Sequence, residues 1–295
     1  MGNGFRGRRC ASALRDGAVT VAVLPCLSSG RINHIIEILM QPWRSAIANS
    51  DDTNLWIRGY DVTSLMKRTT FADVVFLLHQ SRLPSQGERR LIDAILIAVA
   101  DHGAGAPSCA AARLAASGNR ESLSAAVAAG VLAIGDEHGG AGADCMENIA
   151  AGIALARSES ISIEEAAQRT FDDFRARGKR LAGLGHRVHR ERDPRTEILF
   201  TMARESGLAR DGIAFMEALE KSASTRGKVL PINIDGALAA ILYDLGFPSA
   251  MGKLLFIIGR VAGLTAEVAE EHDREKAMRI KIPIVYDGPA PRPLA

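Results

Sequence analysis

Apolar residues recur at helical spacing along most of this chain, and the breaks between the runs carry helix caps. Ser85 is placed to cap a segment in which Leu91, Ile92, Ile95, Leu96 and Val99 share one face. Ser162 followed by Glu165 has capping-box spacing; Ala166, Ala167, Thr170, Phe171 and Phe174 continue the run, and Gly178 stops it. The same pattern predicts helices near 122–134, 141–157, 194–206, 211–223, 236–245 and 249–272. Alternating strand patterns occur only at Arg58–Val62 and Ile280–Tyr286, too isolated to build a central sheet. An all-α fold is predicted.

A chain of 295 residues can bury one large core or two unequal ones, and no repeat of solenoid period is present. The polar stretch 158–162 and the basic loop 186–195 predict a smaller domain over 147–248, flanked by 40–146 and 249–295 of a larger one. Residues 1–39 read differently. Arg6, Arg8 and Arg9 precede the apolar stretch Ala18–Leu27, but Asp16 interrupts the approach and Pro25 breaks the run, so a disordered or mis-assigned leader is favoured over an export signal. No run of about twenty apolar residues predicts a membrane span. A net charge of +2 without a basic-aromatic stripe gives no reason to expect nucleic acid. The four cysteines are widely spaced, which fits reduced thiols in the cytoplasm rather than a disulfide framework or a zinc site.

Three polar motifs interrupt the apolar background: Gly-Asp-Glu-His-Gly-Gly at 135–140, Gly-Leu-Gly-His-Arg-Val at 183–188 and Asn-Ile-Asp-Gly at 233–236. Each sets one proton-handling group, His138, His186 or Asp235, beside glycines that permit close approach of another molecule. Removing a proton from a carbon acid needs a carboxylate base and donors aimed at the oxygen where charge develops. A neutral imidazole suits the donor role, and a desolvated aspartate with a raised pKa suits the base. By position alone, Asp235 serves equally well as the cap of the following helix, and His138 as a turn histidine. Around His186 lie Arg187, Arg190, Arg192 and Arg195, which form either a solvated loop or a binding site for carboxylates and phosphates. His102 ends the 85–100 helix, where imidazolium is favourable. Arg260 sits inside an apolar helix and requires a partner or an anionic ligand.

In this order the motifs resemble the citrate synthase superfamily, over about residues 55–290. The resemblance rests on Arg58-Gly59-Tyr60-Asp61-Val62, Phe71–Leu78 with Leu83-Pro84, Asp101-His102, His138-Gly139-Gly140, Gly185-His186-Arg187-Val188 with Asp193-Pro194-Arg195, Asn233-Ile234-Asp235 and Gly259-Arg260. It implies a citrate synthase-like two-domain helical fold, a homodimer, and no tightly bound cofactor or metal, coenzyme A thioester being a substrate. It implies that His138 and Asp235 activate the acyl methyl group and that His186 polarises the 2-oxo acid carbonyl. By the same resemblance His102, Arg195 and Arg260 hold carboxylates, and Arg187 and Arg190 lie near coenzyme A. Arg279 or Lys281 is the corresponding candidate for a basic residue reaching the partner subunit's site.

Two departures point within the superfamily. Only sixteen residues, Ser85–Ala100, separate Leu83-Pro84 from Asp101-His102, where full-length citrate synthases carry a much longer insertion. Asp235 is followed by Gly236, where synthases usually place an aromatic residue. Both features resemble citryl-CoA lyases, which cleave citryl-CoA to acetyl-CoA and oxaloacetate, so that reaction is expected. Citrate or 2-methylcitrate synthesis is the alternative. A non-catalytic acyl-CoA-binding protein or an HD-type metal hydrolase using His102, His272 and Asp273 are remoter readings.

Overall fold

The computed structural model describes residues 43–185, 192–227 and 229–293. The leader 1–39 therefore lies outside the described residues. By its contacts the chain divides into Met1–Ala46 and Ile47–Ala295. Of the first unit, residues 43–46 are described, as exposed irregular chain.

The second unit is mostly helical. It opens with a small antiparallel sheet of β1 (Ala48–Ser50), β2 (Leu55–Ile57) and β3 (Tyr60–Asp61). The expected strand at Arg58–Val62 is instead a tight turn, a two-residue strand and a helix start. Arg58 and Gly59 take φ of 49° and 83°, closing the β2–β3 hairpin. Among the described residues eleven helices follow: α1 (Val62–Arg68), α2 (Phe71–Gln80), α3 (Gln86–Val99), α4 (Pro107–Gly118), α5 (Leu123–Leu132), α6 (Ala141–Glu159), α7 (Ile163–Ala176), α8 (Pro194–Glu205), α9 (Asp211–Thr225), α10 (Ile234–Asp244) and α11 (Met251–Arg274).

The predicted helix starts have physical causes in the structure. Ser85 accepts from the Glu88 amide while the Glu88 carboxylate accepts from the Ser85 amide at 2.7 Å, a complete capping box. Ser162 caps α7 through the Glu165 amide in one direction only. Helix α9 has no cap of its own. Asp244, at the far end of α10, accepts from the amides of Arg210, Gly212 and Ile213 at 2.7, 2.7 and 3.2 Å. Burial raises the Asp244 pKa in spite of these donors.

Helix α10 is the centre of the core. Its Leu238, Ala239, Ala240, Ile241 and Leu242 are all buried, as expected of a helix apolar on every side. Met146, Ile149 and Ile153 of α6 and Phe215, Met216 and Leu219 of α9 belong to the same cluster. A second cluster, with Cys109, Ala112, Ala116, Ala126, Leu264 and Val268, joins α4, α5 and α11. Helices α6 and α11 meet backbone to backbone: a Cβ added at Gly252 would stand 2.4 Å from the Gly142 carbonyl carbon. Helix α6 runs unbroken through positions 146 and 147. At the other end, 280–286 forms no strand. Among the described residues it pairs with no strand, and 281–286 runs as exposed chain, Ile282, Ile284, Val285 and Tyr286 included.

Candidate active site

Three turns bring the polar motifs to the ends of buried helices. The first lies between α5 and α6. The Gly135 carbonyl accepts the amides of His138 at 2.9 Å and Gly140 at 3.0 Å, winding 135–140 into a compact loop. Gly139 has φ +74°, and a Cβ there would meet the Phe256 ring at 2.2 Å. The His138 ring therefore stands edge-on to Phe256, with centroids 6.1 Å apart.

Ser108, at the start of α4 and fully buried, fixes the state of that imidazole. Its backbone amide donates to His138 Nε2 at 3.3 Å, and its Oγ lies 2.8 Å from the same nitrogen. An amide can only donate, so Nε2 is the bare nitrogen and the ring proton is assigned to Nδ1. Arg260 NH1 donates to Ser108 Oγ at 3.2 Å, which turns the serine hydroxyl proton toward Nε2. This assignment makes Nδ1–H the donor of the His138 ring.

Arg260, only 2 % exposed, is accommodated inside α11 in three ways. Its Nε donates to the Val99 carbonyl at 2.8 Å, NH1 holds Ser108, and the guanidinium lies 4.8 Å from the centre of the Phe256 ring. Arg195 reaches the same helix end, donating to the Ala98 carbonyl at 3.3 Å. The C-terminus of α3 is the negative pole of its dipole and gathers both cations. His102 follows directly, exposed in the α3–α4 turn. There Asp101 accepts from the Gly103 amide at 2.5 Å and from the Cys109 thiol at 3.4 Å.

Asp193 caps α8 through the Arg195 amide and pairs with the Arg195 guanidinium at 3.0 and 2.8 Å. These bonds use three of the five guanidinium N–H groups, counting the one to Ala98, and leave two for a ligand.

Asp235 is the second residue of α10 and is not its cap. Asn233 caps the helix, its Oδ1 accepting from the Gly236 amide at 3.1 Å. The Asp235 carboxyl is thus not used as a cap, and the residue is half-buried. Burial raises its pKa to about 6, against the opposing pull of the Arg195 and Arg260 charges and with some help from Asp193. Asp235 thus feels both arginines, and Arg260 is bonded through Ser108 to His138.

The structure brings Asp235, Arg195, Arg260, His138 and the α3 end before His102 into one linked group. His186, Arg187 and Arg190 lie outside the described residues. Arg279 is held within its own chain, donating to the fully buried Glu271 at 3.0 and 2.5 Å and pairing with Glu275 at 2.9 Å. Lys281 is exposed on the C-terminal chain. Sequence reasoning missed Ser108 and Phe256, and quoted Asp193 within a motif without giving it a role. Asp193-Pro194 carried a helix-start signal, whereas Ser108 and Phe256 sit in apolar runs with none. Among the described residues, the one group of metal-ligand type with atoms close together is Asp101, Cys109 and Glu267. It contains none of His102, His272 and Asp273. No helix among the described residues is long and apolar enough to cross a membrane.

Residues 85–281 match the family model "Citrate synthase, C-terminal domain". Of solved structures, the citryl-CoA lyase of Hydrogenobacter thermophilus superposes with a TM-score of 0.79 at 37% identity, covering 86% of this chain and 98% of that one. An ATP citrate lyase of Methanosaeta concilii, in complex with (3S)-citryl-CoA, shares the fold at 19% identity and a TM-score of 0.69, over 94% of this chain and 47% of that one. A curated relative, "Putative citrate synthase 2" of Mycobacterium tuberculosis, is 28% identical over 68% of this chain and 52% of its own length. The citrate synthase of Saccharolobus solfataricus is 31% identical over 75% of this chain and 57% of its own. The chain thus spans about half the length of the curated relatives it matches.

Proposed function

The chain belongs to the citrate synthase family, and on that premise we propose that it cleaves citryl-CoA to acetyl-CoA and oxaloacetate. The observation that carries this reading is Asp235, a desolvated carboxyl with a pKa raised to about 6 between two arginines. In the cleavage direction a base takes the hydroxyl proton of citryl-CoA, the carbon–carbon bond breaks, and the electron pair moves onto the thioester as an enolate. His138 Nδ1–H stabilises the enolate oxygen, and protonated Asp235 delivers its proton to the carbon, giving the acetyl methyl group. His186 is the family's candidate for the group at the hydroxyl. Arg195, Arg260 and His102 hold the carboxylates of the oxaloacetate half, and Arg187 and Arg190 take phosphates of coenzyme A. No metal or bound cofactor enters the scheme.

The likeness to a citryl-CoA lyase along nearly its whole chain supports cleavage over condensation. Condensation followed by thioester hydrolysis is the second reading, favoured by the names of the curated relatives. The same groups serve both directions, so the test lies in the products. Citryl-CoA mixed with the protein should release oxaloacetate, followed with a coupled dehydrogenase. Acetyl-CoA with oxaloacetate should release no free thiol. Thiol release at a rate matching oxaloacetate consumption would establish the synthase, and inactivity in both assays would remove the family's carbon–carbon chemistry from this chain.

The working unit in this reading is a cytoplasmic homodimer, with 147–248 as the smaller domain. The exposed Leu114 of α4 and Leu123 and Leu132 of α5 are apolar residues a second subunit would cover. Light scattering after gel filtration at two concentrations tests the dimer.

A further inference from the structure

We propose that Asn233 is a positioning residue whose single side chain fixes the backbone just before position 186 against the helix turn carrying Asp235. The inference rests on the reading that 186 and 235 act in one site.

The turn 183–185 and the segment 231–236 are zipped together. The Gly185 amide donates to the Pro231 carbonyl at 2.7 Å, the Asn233 amide donates to the Gly183 carbonyl at 3.0 Å, and Leu184 and Ile232 form a bridge. Ile232 is braced from outside, its amide donating to Glu220 at 2.8 Å and its carbonyl accepting from the Thr196 hydroxyl at 3.0 Å. The two backbones touch. A Cβ at Gly236 would stand 2.4 Å from the Gly183 oxygen, and one at Gly183 would stand 2.8 Å from Gly236 Cα.

Asn233 uses both ends of its amide across this contact. Oδ1 accepts from Gly236 and caps α10, while Nδ2 donates to the Gly185 carbonyl at 2.7 Å. Capping alone needs only an oxygen, which Asp or Ser supplies equally well. Spanning to Gly185 needs the donor half as well, and among common capping residues Asn alone carries both on one planar group. Asn233 therefore ties the turn to the Asp235 helix with a side-chain strut beside the backbone bonds, in addition to starting the helix.

The cap and the strut separate by substitution. Asn233→Ser keeps a capping oxygen and is too short to reach Gly185; Asn233→Ala removes both. In Asn233→Ser the melting midpoint should stay within about 2 °C of the parent, since the cap survives. Amide exchange at 183–185 should quicken while α7 exchanges as before, and turnover of citryl-CoA should fall about ten- to hundredfold with KM changed less than about threefold. Asn233→Ala should add a clear drop in melting midpoint. Unchanged exchange at 183–185 in Asn233→Ser, or a loss of turnover only in step with lost stability, would overturn the positioning role. If the parent turns over neither substrate set, the reaction assigned above fails, and exchange at 183–185 still decides whether the strut exists.

Discussion

Replacing Asp235 by Asn should make the protein more stable and inactive. The folded chain holds the Asp235 proton to about pH 6, against an ordinary value of 3.8. Within that window the folded state keeps a proton the unfolded chain has released, so stability falls as pH rises through it. Each tenfold change in proton affinity is about 1.4 kcal/mol, so the full window is worth about 3 kcal/mol, present below pH 3.8 and lost above about pH 6. An amide of the same shape has no charge to desolvate. It still gives up some hydration on burial, which lowers the expected gain to about 2 kcal/mol at neutral pH. Urea unfolding of parent and Asp235→Asn at steps from about pH 4 to about pH 8 reads this directly. The variant's advantage should open between pH 4 and pH 6 and then level off. Turnover should fall about a hundredfold or more, since proton delivery to carbon is lost. A stability difference independent of pH, or a variant weaker at every pH, would refute the claim that the carboxyl is desolvated in the folded protein.

Ser108→Ala removes the oxygen shared by Arg260 and His138. It should cost about 1–3 kcal/mol by leaving a buried guanidinium N–H unpaired, and more than about tenfold in turnover, read by melting and steady-state kinetics. Glu88 shows the opposite linkage to Asp235. Arg82 first, and then the Ser85 amide and hydroxyl, hold its carboxyl down to about 2. Its contribution is complete above the ordinary value of 4.5 and disappears as pH falls through about 2. Glu88→Gln should therefore lose about 1–2 kcal/mol at neutral pH, with a gap to the parent that narrows in acid; a constant gap would assign the loss to packing.

Most of the helical fold was legible because its elements signal locally. The predicted spans 141–157, 194–206 and 211–223 correspond to α6, α8 and α9 within two residues at each end. Helix α4 gave no such signal: Pro107–Gly118 is nearly all small residues, with no polar face to define a period. Strands were misplaced because alternation records sidedness and not the presence of a partner. The chain at 280–286 alternates but pairs with no strand among the described residues, whereas β1 at Ala48–Ser50 pairs although it is exposed throughout. The polar motifs stood out as interruptions of apolar sequence, and several meet at one helix end. Their supports stayed hidden, since a buried serine or phenylalanine earns its role from a neighbour distant in sequence. Asn233 takes the capping role that position alone left open to Asp235, two residues earlier.

Gly236 connects the sequence departure to the chemistry. A side chain at that position, as the aromatic residue usual in synthases, would collide with the Gly183 carbonyl and push the 183–185 turn away from α10. The pairs Gly183–Asn233 and Gly185–Pro231 then could not both form at 3.0 and 2.7 Å. An aromatic residue placed at 236 in this chain would therefore hold the 183–185 turn and the Asp235 helix farther apart.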